Sequence, residues 1–370
     1  MLVAPPGEVQ HPWPVRVARD SRTVGRLWCA AGSHIDSKGG VLVTTVAIGP
    51  ADQLDPRLLE HRRELTGYCY RMLGSSFDAE DAVQETMVRA WRGLGDFEGR
   101  SALRSWLYRI ATNVCLDQLS GRQRRALPMD IAGNPYPPVE ASLAGRRPGT
   151  AWVEPVLDRQ VLPEDGDPAE QAVAKESIRL AFVAALQHLP PRQRAVLILR
   201  EVLRWKAEEV AQLLDTTVAS VNSALQRARA TLAGVGGVPE PRKPLGADER
   251  ELLERYVDAF ERYDIDAFVR LLHEDATQHM PPFEMWLRGR EDIGTWMRGP
   301  GAKCAGSVLL PLEANGSPAV AQWRPREGGG HEPWALHVLE VEDGRIVHIS
   351  SFLDLDAGLF AKLGLPTVVD

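Results

Sequence analysis

Residues 206–229 read Lys206-Ala-Glu-Glu-Val-Ala-Gln-Leu-Leu-Asp-Thr-Thr-Val-Ala-Ser-Val-Asn-Ser-Ala-Leu-Gln-Arg-Ala-Arg229, and this stretch decides the fold of its region. Its pattern divides into a short helix, a break at 215–217 and a second helix. Two helices that cross closely need a small residue at the contact and a branched apolar residue on the facing turn, and Ala211 and Val221 fit both needs. Asp215 stands in the turn, because Asp accepts left-handed backbone angles better than most residues. The stretch therefore predicts a helix-turn-helix.

The second helix of this motif carries a polar face beside its buried stripe of Val221 and Leu225. If this helix lies in a major groove, the residues off that stripe face the DNA, where Asn and Gln pair with adenine and Arg with guanine or phosphate. Residues 178–232 carry eight basic and four acidic residues, a net charge of +4 in a chain of −7, which favours DNA over a hairpin with a solvated face. The candidate upstream contacts are Ser220, Asn222, Ser223, Gln226, Arg227 and Arg229.

Residues 56–127 form another helical block, which precedes the helix-turn-helix region in the chain. It contains a helix with an acidic start. Asp78 is placed to cap this helix, and Asp81 follows near the positive end of the helix dipole. Capping explains these two acids but leaves the rest of the exposed end unexplained. That end comprises Asp78, Glu80, Asp81, Gln84 and Glu85.

The next helix, at 101–119, is followed by a basic tail. Residues 89–125 hold eight Arg and three acidic residues, a net charge of +5. Basic residues mixed with aromatics suit single-stranded DNA, where bases stack on rings and cations follow the phosphates. Taken singly, Trp106 and Tyr108 fit a core better than a base platform. The candidate contacts are Arg104, Trp106, Tyr108, Arg109, Arg122, Arg124 and Arg125.

Together, the two blocks resemble the extracytoplasmic-function (ECF) class of bacterial sigma factors over residues 56–232. Asp78-Ala-Glu-Asp81 with Gln84-Glu85 is similar to the family segment that docks on the coiled coil of the polymerase β′ subunit. The resemblance implies core RNA polymerase, through its β′ coiled coil and β subunit, and promoter DNA as partners.

The same resemblance implies roles for the two DNA-binding segments. Ser105-Trp-Leu-Tyr-Arg-Ile-Ala-Thr-Asn113 is similar to the segment that melts the downstream promoter element, and it implies that Asn113 helps bind a flipped-out base. Residues 178–233 resemble the reader of the upstream element. Family members often carry Arg where this chain has Asn222 and Ala224, so the resemblance implies no particular upstream sequence.

Composition predicts the segments around these domains, which we place at 51–127 and 178–233. Residues 1–50 are rich in Pro and lack a period, so we expect disorder, or a non-native extension if translation starts at a valine codon such as that of Val41 or Val43. Residues 128–177 contain eight Pro and nine acidic against four basic residues, which predicts an extended, mobile linker. Within it, Trp152-Val-Glu-Pro-Val-Leu157 resembles a Trp-x-x-Pro signature of ECF sigma factors with a C-terminal extension. That likeness implies a buried anchor on polymerase or on the extension.

A second linker at 234–246 leads to a region of different character at 247–370. A helical pattern at 248–272 gives way to four strand-like runs near 306–312, 318–324, 333–341 and 345–352, with a hairpin turn at Asp343-Gly344. This predicts an α+β domain after two all-α domains. The region resembles the cone-shaped SnoaL-like domains in Tyr256-Val-Asp-Ala-Phe260, Phe283-Glu-Met-Trp-Leu-Arg-Gly289 and the Asp-Gly-Arg-Ile hairpin.

Some SnoaL-like relatives are enzymes that use an Asp/His pair. The corresponding residues to consider are Asp275, His279, His337 and His348. Single His residues on strands are usually structural, so we predict no catalytic residue and no enzyme.

Charge suggests a regulatory role for this C-terminal region. Residues 245–370 hold 22 acidic and 12 basic residues, a net charge of −10. An acidic domain tethered beside basic DNA-binding domains has a high local concentration and can mask them. The prediction is regulation in cis, with a small ligand in the cone as one candidate signal; the alternative is an acidic surface that only keeps the protein soluble.

Three classes of function remain open from the sequence. An alternative sigma factor that reads a two-element promoter uses both the acidic helix and the melting helix, whereas a stand-alone helix-turn-helix regulator needs neither. A SnoaL-like enzyme with a DNA-binding appendage is the third class. Whether a separate anti-sigma protein exists is left open.

Cysteine spacing and hydropathy add expectations about cofactors and location. Cys29, Cys69, Cys115 and Cys304 form no pair at metal-ligand spacing, so neither a metal nor another cofactor is predicted. No apolar run is long enough to span a bilayer and no targeting segment is recognised, which predicts a cytoplasmic protein without a membrane partner.

Overall fold

The computed structural model describes residues 34–35, 41–42, 55–97, 99, 102–163, 167–234, 247–356 and 358–369. Residues 54–368 form one compact unit. In the other unit His34–Ile35 (β1) pairs antiparallel with Val41–Leu42 (β2). The remaining expectations for residues 1–50 lie outside the described residues. No helix in the described ranges is long and apolar enough to cross a membrane.

Four helices build the first helical domain. Ser75 caps the third of them, since its Oγ accepts from the Asp78 backbone N–H. The expectation that Asp78 caps this helix is therefore wrong, because the helix begins one turn earlier than the acidic run suggests. The second helix ends at Gly74, which takes the left-handed conformation at φ +69°. The helices are Pro56–Leu59 (α1), Arg62–Leu73 (α2), Ser76–Gly93 (α3) and Leu103–Leu119 (α4).

The segment between the helical domains is folded, which corrects the prediction that 128–177 is extended and mobile. Trp152 is only 2 % exposed, and Val153 and Val156 are fully buried. The Val153 N–H donates to the Ala126 oxygen and the Val156 N–H donates to Asn315 Oδ1, so this stretch is bonded to residues far away in sequence. No apolar period in the sequence marks such a stretch. The described part of the segment contains Pro128–Ile131 (α5), 3-10 helices at Glu140–Ala144 and Gly149–Ala151, Asp158–Val161 (α6) and Pro168–Glu176 (α7).

The second helical domain contains the predicted helix-turn-helix. Ala211 and Val221 are buried at the crossing, and Asp215 has φ +50° in the turn, as the sequence predicts. Thr217 caps the last helix by accepting from the Ser220 backbone N–H. The helices are Leu180–Leu186 (α8), Pro191–Leu197 (α9) with a π-helical extension at Ile198–Val202, Ala207–Leu213 (α10) and Val218–Gly234 (α11).

The C-terminal domain is α+β, which confirms the predicted fold class. Its six-stranded sheet has the order β4-β3-β8-β7-β6-β5, with β3 and β8 parallel and the other neighbours antiparallel. Asp343 and Gly344 form the predicted hairpin turn, both at positive φ. The helices are Ala247–Glu261 (α12), Ile265–Leu271 (α13), Arg290–Arg298 (α14) and Leu359–Lys362 (α15). The strands are Leu272–His279 (β3), Trp286–Arg288 (β4), Val308–Ala314 (β5), Ser317–Pro325 (β6), His331–Glu342 (β7) and Arg345–Leu353 (β8).

Candidate nucleic-acid interface

The acidic start of α3 divides into paired and open residues. Asp78 is only 19 % exposed in its side chain and accepts hydrogen bonds from two arginines, and Glu80 pairs with Arg62. Asp81 is exposed and Gln84 is half-buried. Glu85 is also exposed, so Asp81 and Glu85 are the members of the predicted set that face solvent most openly.

Two apolar residues continue this exposed face, and the sequence prediction missed them. Val88 is 38 % exposed and Trp91 is 51 % exposed. They follow Gln84 by four and seven residues, so all three share one side of α3. Glu85, beside them, is bonded to Arg89 one turn on. A large exposed aromatic residue rimmed by charge is typical of a protein-docking surface.

Helix α4, which the sequence predicts to melt DNA, is partly covered by the second helical domain. Tyr108 is fully buried, with its ring 5.1 Å from the Tyr68 ring and 5.0 Å from the Trp205 ring. The Arg104 guanidinium lies over the Tyr108 and Trp205 rings and donates to Glu64 at 2.8 Å. Burial raises the pKa of Tyr108 far above its usual value. Tyr108 is a core residue in this arrangement and is not available as a base platform.

Further along α4 the other predicted DNA contacts differ in exposure. Arg109 donates to the Gln212 backbone oxygen of α10 at 2.8 Å, so it ties the two helical domains together. Trp106 is half-buried and its ring lies 5.0 Å from that of Phe97. Asn113 is exposed. Of the residues on α4 itself, Asn113 is thus the most openly placed for a nucleic-acid contact.

The three basic residues after α4 are all engaged within the chain. Arg122 and Arg125 both donate to Asp78 Oδ2 at 2.8 Å. Arg125 is also buried, whereas Arg122 and Arg124 are exposed. Arg124 hydrogen-bonds with the ring of His188 in the second helical domain. In this arrangement Arg122 and Arg125 share the Asp78 carboxylate of α3, and Arg124 is bridged to the turn that follows α8.

The predicted upstream contacts, by contrast, are all exposed. They lie on α11, on the side away from the buried Val221 and Leu225. Arg227 donates to Ser223 Oγ at 2.6 Å, one turn back along the same face. Arg229 pairs with Glu201 at 2.5 Å. The structure brings together on this open face Ser220, Asn222, Ser223, Gln226, Arg227 and Arg229.

Inside the C-terminal domain, His337 belongs to a buried polar chain. Its ring hydrogen-bonds with Ser351 Oγ at 2.8 Å and with Gln322 Oε1 at 2.7 Å. It also lies against Phe260 of α12. Burial lowers the pKa of His337 to about 4. The ring is therefore neutral near pH 7 and its neutral form fits one donor and one acceptor.

The other three residues considered for acid-base chemistry do not converge with His337. His279 and His348 lie side by side, with ring centroids 4.6 Å apart, and Thr277 bonds His348 at 2.6 Å. Strand alternation places this group on the opposite face of the sheet from His337. Asp275 is exposed, 3.8 Å from Arg288. Among the described residues, these four form no Asp/His pair.

A buried turn between β5 and β6 joins the C-terminal domain to the rest of the chain. Asn315 is fully buried at φ +54°, and its Oδ1 accepts from the Val156 backbone N–H at 3.0 Å. Its Nδ2 donates to Tyr70 Oη at 2.6 Å and to the Ile178 carbonyl oxygen at 2.7 Å. One side chain thus contacts α2, the inter-domain segment and Ile178, two residues before α8.

Gly316 completes this turn. Its backbone N–H donates to Asp158 Oδ1 at 2.8 Å, and burial raises the pKa of Asp158 to about 6. A Cβ at Gly316 would lie 2.5 Å from the Lys175 carbonyl oxygen, and φ is +67°. Only glycine fits this approach without displacing the backbone. Lys175 also pairs with Glu313 at 2.9 Å.

Comparisons with known proteins identify the chain. The family model "Sigma-70 region 2" matches residues 58–125, "Sigma-70, region 4" matches 179–232, and "SnoaL-like domain" matches 253–349. A curated relative, the ECF RNA polymerase sigma factor SigG of Mycobacterium tuberculosis, is 47% identical over 310 residues, which are 83% of this chain and 82% of that protein. The chain belongs to the ECF RNA polymerase sigma factors. It is an alternative sigma factor, as its resemblance predicts.

Other relatives of this ECF sigma factor support the same architecture. The probable ECF sigma factor SigI of Mycobacterium tuberculosis is 27% identical over 294 residues, 78% of this chain and 89% of that protein. The crystal structure of the Mycobacterium tuberculosis ECF sigma factor SigJ shares the fold, with a TM-score of 0.55 at 22% identity, over 84% of this chain and 100% of that chain. Family membership points to a transcription factor and not to an enzyme, although the SnoaL-like fold also occurs in enzymes.

Proposed function

We propose that this ECF sigma factor binds core RNA polymerase through the exposed face of α3. The exposed stripe of Asp81, Gln84, Val88 and Trp91 carries this proposal, because it combines an open acid with a large uncovered aromatic residue. The β′ coiled coil is the proposed partner of this face, with the β subunit contacting the rest of the factor. Binding takes place in the cytoplasm, where core polymerase acts.

The two helical domains are the proposed readers of a two-element promoter. The open polar face of α11 suits the major groove of the upstream element. Helix α4, with the exposed Asn113 and the arginines on and after it, is the proposed binder of the melted downstream element. Two separate elements of a promoter require the two domains to lie apart along the DNA.

The described arrangement is closed and does not meet this requirement. Arg109 is bonded to α10, and Trp205 covers Tyr108. Buried Arg71 of α2 donates to Ser177 Oγ at 2.7 Å, close to the start of α8. We infer that the factor has to open before it reads a promoter.

The SnoaL-like domain is the proposed element that holds the factor closed. The Asn315 turn contacts both sides of the closed arrangement, and Arg179 lies 3.8 Å from Glu340 of β7. These contacts support regulation in cis more than a purely solubilising acidic surface. A buried polar residue with several partners holds a defined geometry, because leaving any partner unpaired is costly.

Size exclusion with purified core RNA polymerase tests the first part of the proposal. We expect the full chain to co-elute with core polymerase, and we expect Asp81→Arg and Glu85→Arg to reduce co-elution. Glu60→Arg, an equal charge change at the end of α1, is the control and should leave co-elution unchanged. If neither the full chain nor residues 46–244 co-elutes, a stand-alone helix-turn-helix regulator becomes the better account.

A further inference from the structure

Residues 127–151, here called the arm, form a loop whose two ends meet on the first helical domain. The Ala126 backbone N–H donates to the Ala151 oxygen at 2.9 Å, and the Val153 N–H donates to the Ala126 oxygen at 3.1 Å. Ala126 and Trp152 also form an isolated parallel bridge. Arg125 donates to the Trp152 carbonyl oxygen at 2.7 Å and to Asp78 of α3 at 2.8 Å, and the Glu154 N–H donates to the Gly74 oxygen at 2.9 Å. The base of the arm is therefore fixed to the first helical domain.

The tip of the arm lies on the SnoaL-like domain. Tyr136 and Leu143 pack against the hydrophobic core of the cone. The Tyr136 N–H donates to the Trp286 carbonyl oxygen at 2.8 Å, and Trp286 Nε1 donates to the Ala132 oxygen at 2.7 Å. Two side-chain anchors and reciprocal bonds at one end fix the position of this part of the arm.

The other end of the tip is bonded to the cone in the same way. The Arg147 N–H donates to the Pro282 oxygen at 2.9 Å, and the Glu284 N–H donates to the Gly145 oxygen at 2.8 Å. Arg146 also forms an isolated antiparallel bridge with Phe283. Main-chain bonds of this kind, combined with spaced side-chain anchors, are how folded domains recognise extended peptides.

Exposed ion pairs surround the docked tip. Glu140 lies 2.8 Å from Lys303, Arg146 lies 2.7 Å from Asp356, and Arg147 pairs with Glu284. Exposed pairs contribute little affinity, but they favour one register over its neighbours. The apolar anchors therefore supply most of the binding, and the charges place the segment.

We infer that the SnoaL-like domain has a peptide-binding groove, between the loop at 281–286 and the 3-10 helix Pro300–Cys304, and that the arm is its built-in ligand. The groove takes a proline-containing segment with an aromatic anchor, Tyr136, and a leucine anchor seven residues later, Leu143, which lies on the 3-10 helix Glu140–Ala144. The arm is rooted on region 2, so its release separates region 2 from the cone at this contact. The groove itself is defined by the contacts of the arm. Only the effect of arm release on the activity of the factor rests on the proposed regulation in cis.

Tethering explains why the small contact between the arm tip and the groove is enough to keep the groove occupied. A segment joined to its site by a short loop has an effective concentration in the millimolar range, so a weak peptide site stays occupied. The same tether excludes a free peptide from the groove. Weakening the anchors of the arm should therefore make the groove available to a peptide supplied in trans.

The test uses the full chain and a fluorescent peptide with the sequence of residues 132–147. We expect the double variant Tyr136→Ala/Leu143→Ala to bind this peptide at least about tenfold more tightly than the wild type, measured by fluorescence anisotropy. Val139→Ala is the matched control, because Val139 lies on the same arm and is 46 % exposed; it should behave like the wild type. A peptide with Ala at both anchor positions should bind neither protein.

Equal peptide binding to wild type and double variant, or binding of the Ala-substituted peptide, would overturn the inference. Hydrogen exchange on the wild type provides a second measurement that does not depend on a variant folding. The amides of Tyr136, Arg147 and Glu284 should be protected and should exchange with one common opening rate. Independent rates would show that the tip does not dock as a unit.

The same double variant separates this inference from the proposed function. If the peptide binds as expected but the variant associates with core polymerase as the wild type does, the groove exists and regulation through it is wrong. If the peptide fails to bind while deletion of the whole C-terminal domain alters polymerase binding, regulation in cis stands and the groove does not.

Discussion

Asn315 is a fully buried residue at the domain junction whose side chain has three hydrogen-bond partners. Its side chain satisfies Val156, Tyr70 and Ile178 at once. We predict that Asn315→Ala lowers the free energy of unfolding by about 1–3 kcal/mol, because buried polar partners are left unpaired. Urea unfolding followed by circular dichroism measures this change.

The control for Asn315→Ala is Asn222→Ala, which removes an exposed amide on α11. The control should change the free energy of unfolding by less than about 0.5 kcal/mol. Equal stability of Asn315→Ala and the wild type would mean that the hydrogen bonds of the turn do not hold the domains together.

Buried histidines predict how stability depends on pH. Burial lowers the pKa of His337 to about 4, and it also lowers the pKa values of His279 and His348. In the unfolded chain these groups titrate near 6.5. Between pH 6.5 and 4 the unfolded state therefore binds a proton at His337 that the folded state does not, and His337 removes up to about 1.4 kcal/mol of stability per pH unit as the pH falls. His279 and His348 act in the same direction. The pKa of Asp158 is raised to about 6, so as the pH falls the folded state binds a proton before the unfolded state does. Asp158 therefore adds stability as the pH falls, whereas the histidines remove it.

Replacing His337 by Gln tests this dependence. Gln keeps a donor and an acceptor but does not titrate. Between pH 7.5 and 5.5 we expect the variant to lose about 1 kcal/mol less stability than the wild type, measured by urea unfolding at both values. If both proteins lose the same stability over this interval, His337 does not stay neutral in the folded state.

For single residues, the sequence predicted exposure correctly where it depends only on the helix that carries the residue. The exposed face of α11 follows from the buried stripe of Val221 and Leu225. The burial of Tyr108 behind Trp205 and the pairing of Arg125 with Asp78 depend on partners far along the chain. No local pattern encodes such contacts, so these residues were predicted as DNA contacts although they are engaged here.

Among the elements, α3 allows a specific prediction about polymerase binding. Trp91→Ala should weaken the affinity for core RNA polymerase at least about tenfold, because exposed aromatic residues at docking surfaces are frequent hot spots. The free energy of unfolding of the Trp91→Ala variant should equal that of the wild type, since Trp91 is half exposed. The measurement is a titration with labelled core polymerase.

Leu59→Ala is the control for Trp91→Ala, as Leu59 is a comparably exposed apolar residue on α1. It should leave the affinity for polymerase unchanged. If Trp91→Ala binds core polymerase with wild-type affinity, the apolar residues do not take part in docking. The proposed docking face then consists of its acidic residues alone.

The elements that the sequence predicted are those with a strong local signature. The helix-turn-helix and the Asp343-Gly344 hairpin are of this kind. Strand β3 was missed because its middle is polar and exposed, and it directly follows a helical pattern. The inter-domain segment was predicted to be mobile because its apolar residues are sparse, yet Trp152, Val153 and Val156 are buried.

At the scale of the whole molecule, charge and topology support the same account. The C-terminal 126 residues carry a net charge of −10, beside helical domains whose DNA-binding segments are basic. In the described unit the arm and the Asn315 turn connect this acidic domain to both helical domains. Under the proposed regulation in cis, a chain held in this way keeps its two promoter readers together, and release of the SnoaL-like domain allows them to separate.

The most direct test compares the affinities of two chains for core RNA polymerase: the full chain and the chain without residues 245–370. Both are titrated against labelled core polymerase under the same salt conditions, since exposed charge interactions depend on ionic strength. Regulation in cis predicts that the shortened chain binds at least about tenfold more tightly, because it no longer has to be opened. Equal affinities, together with unchanged promoter output in cells and in a purified system, would contradict the account.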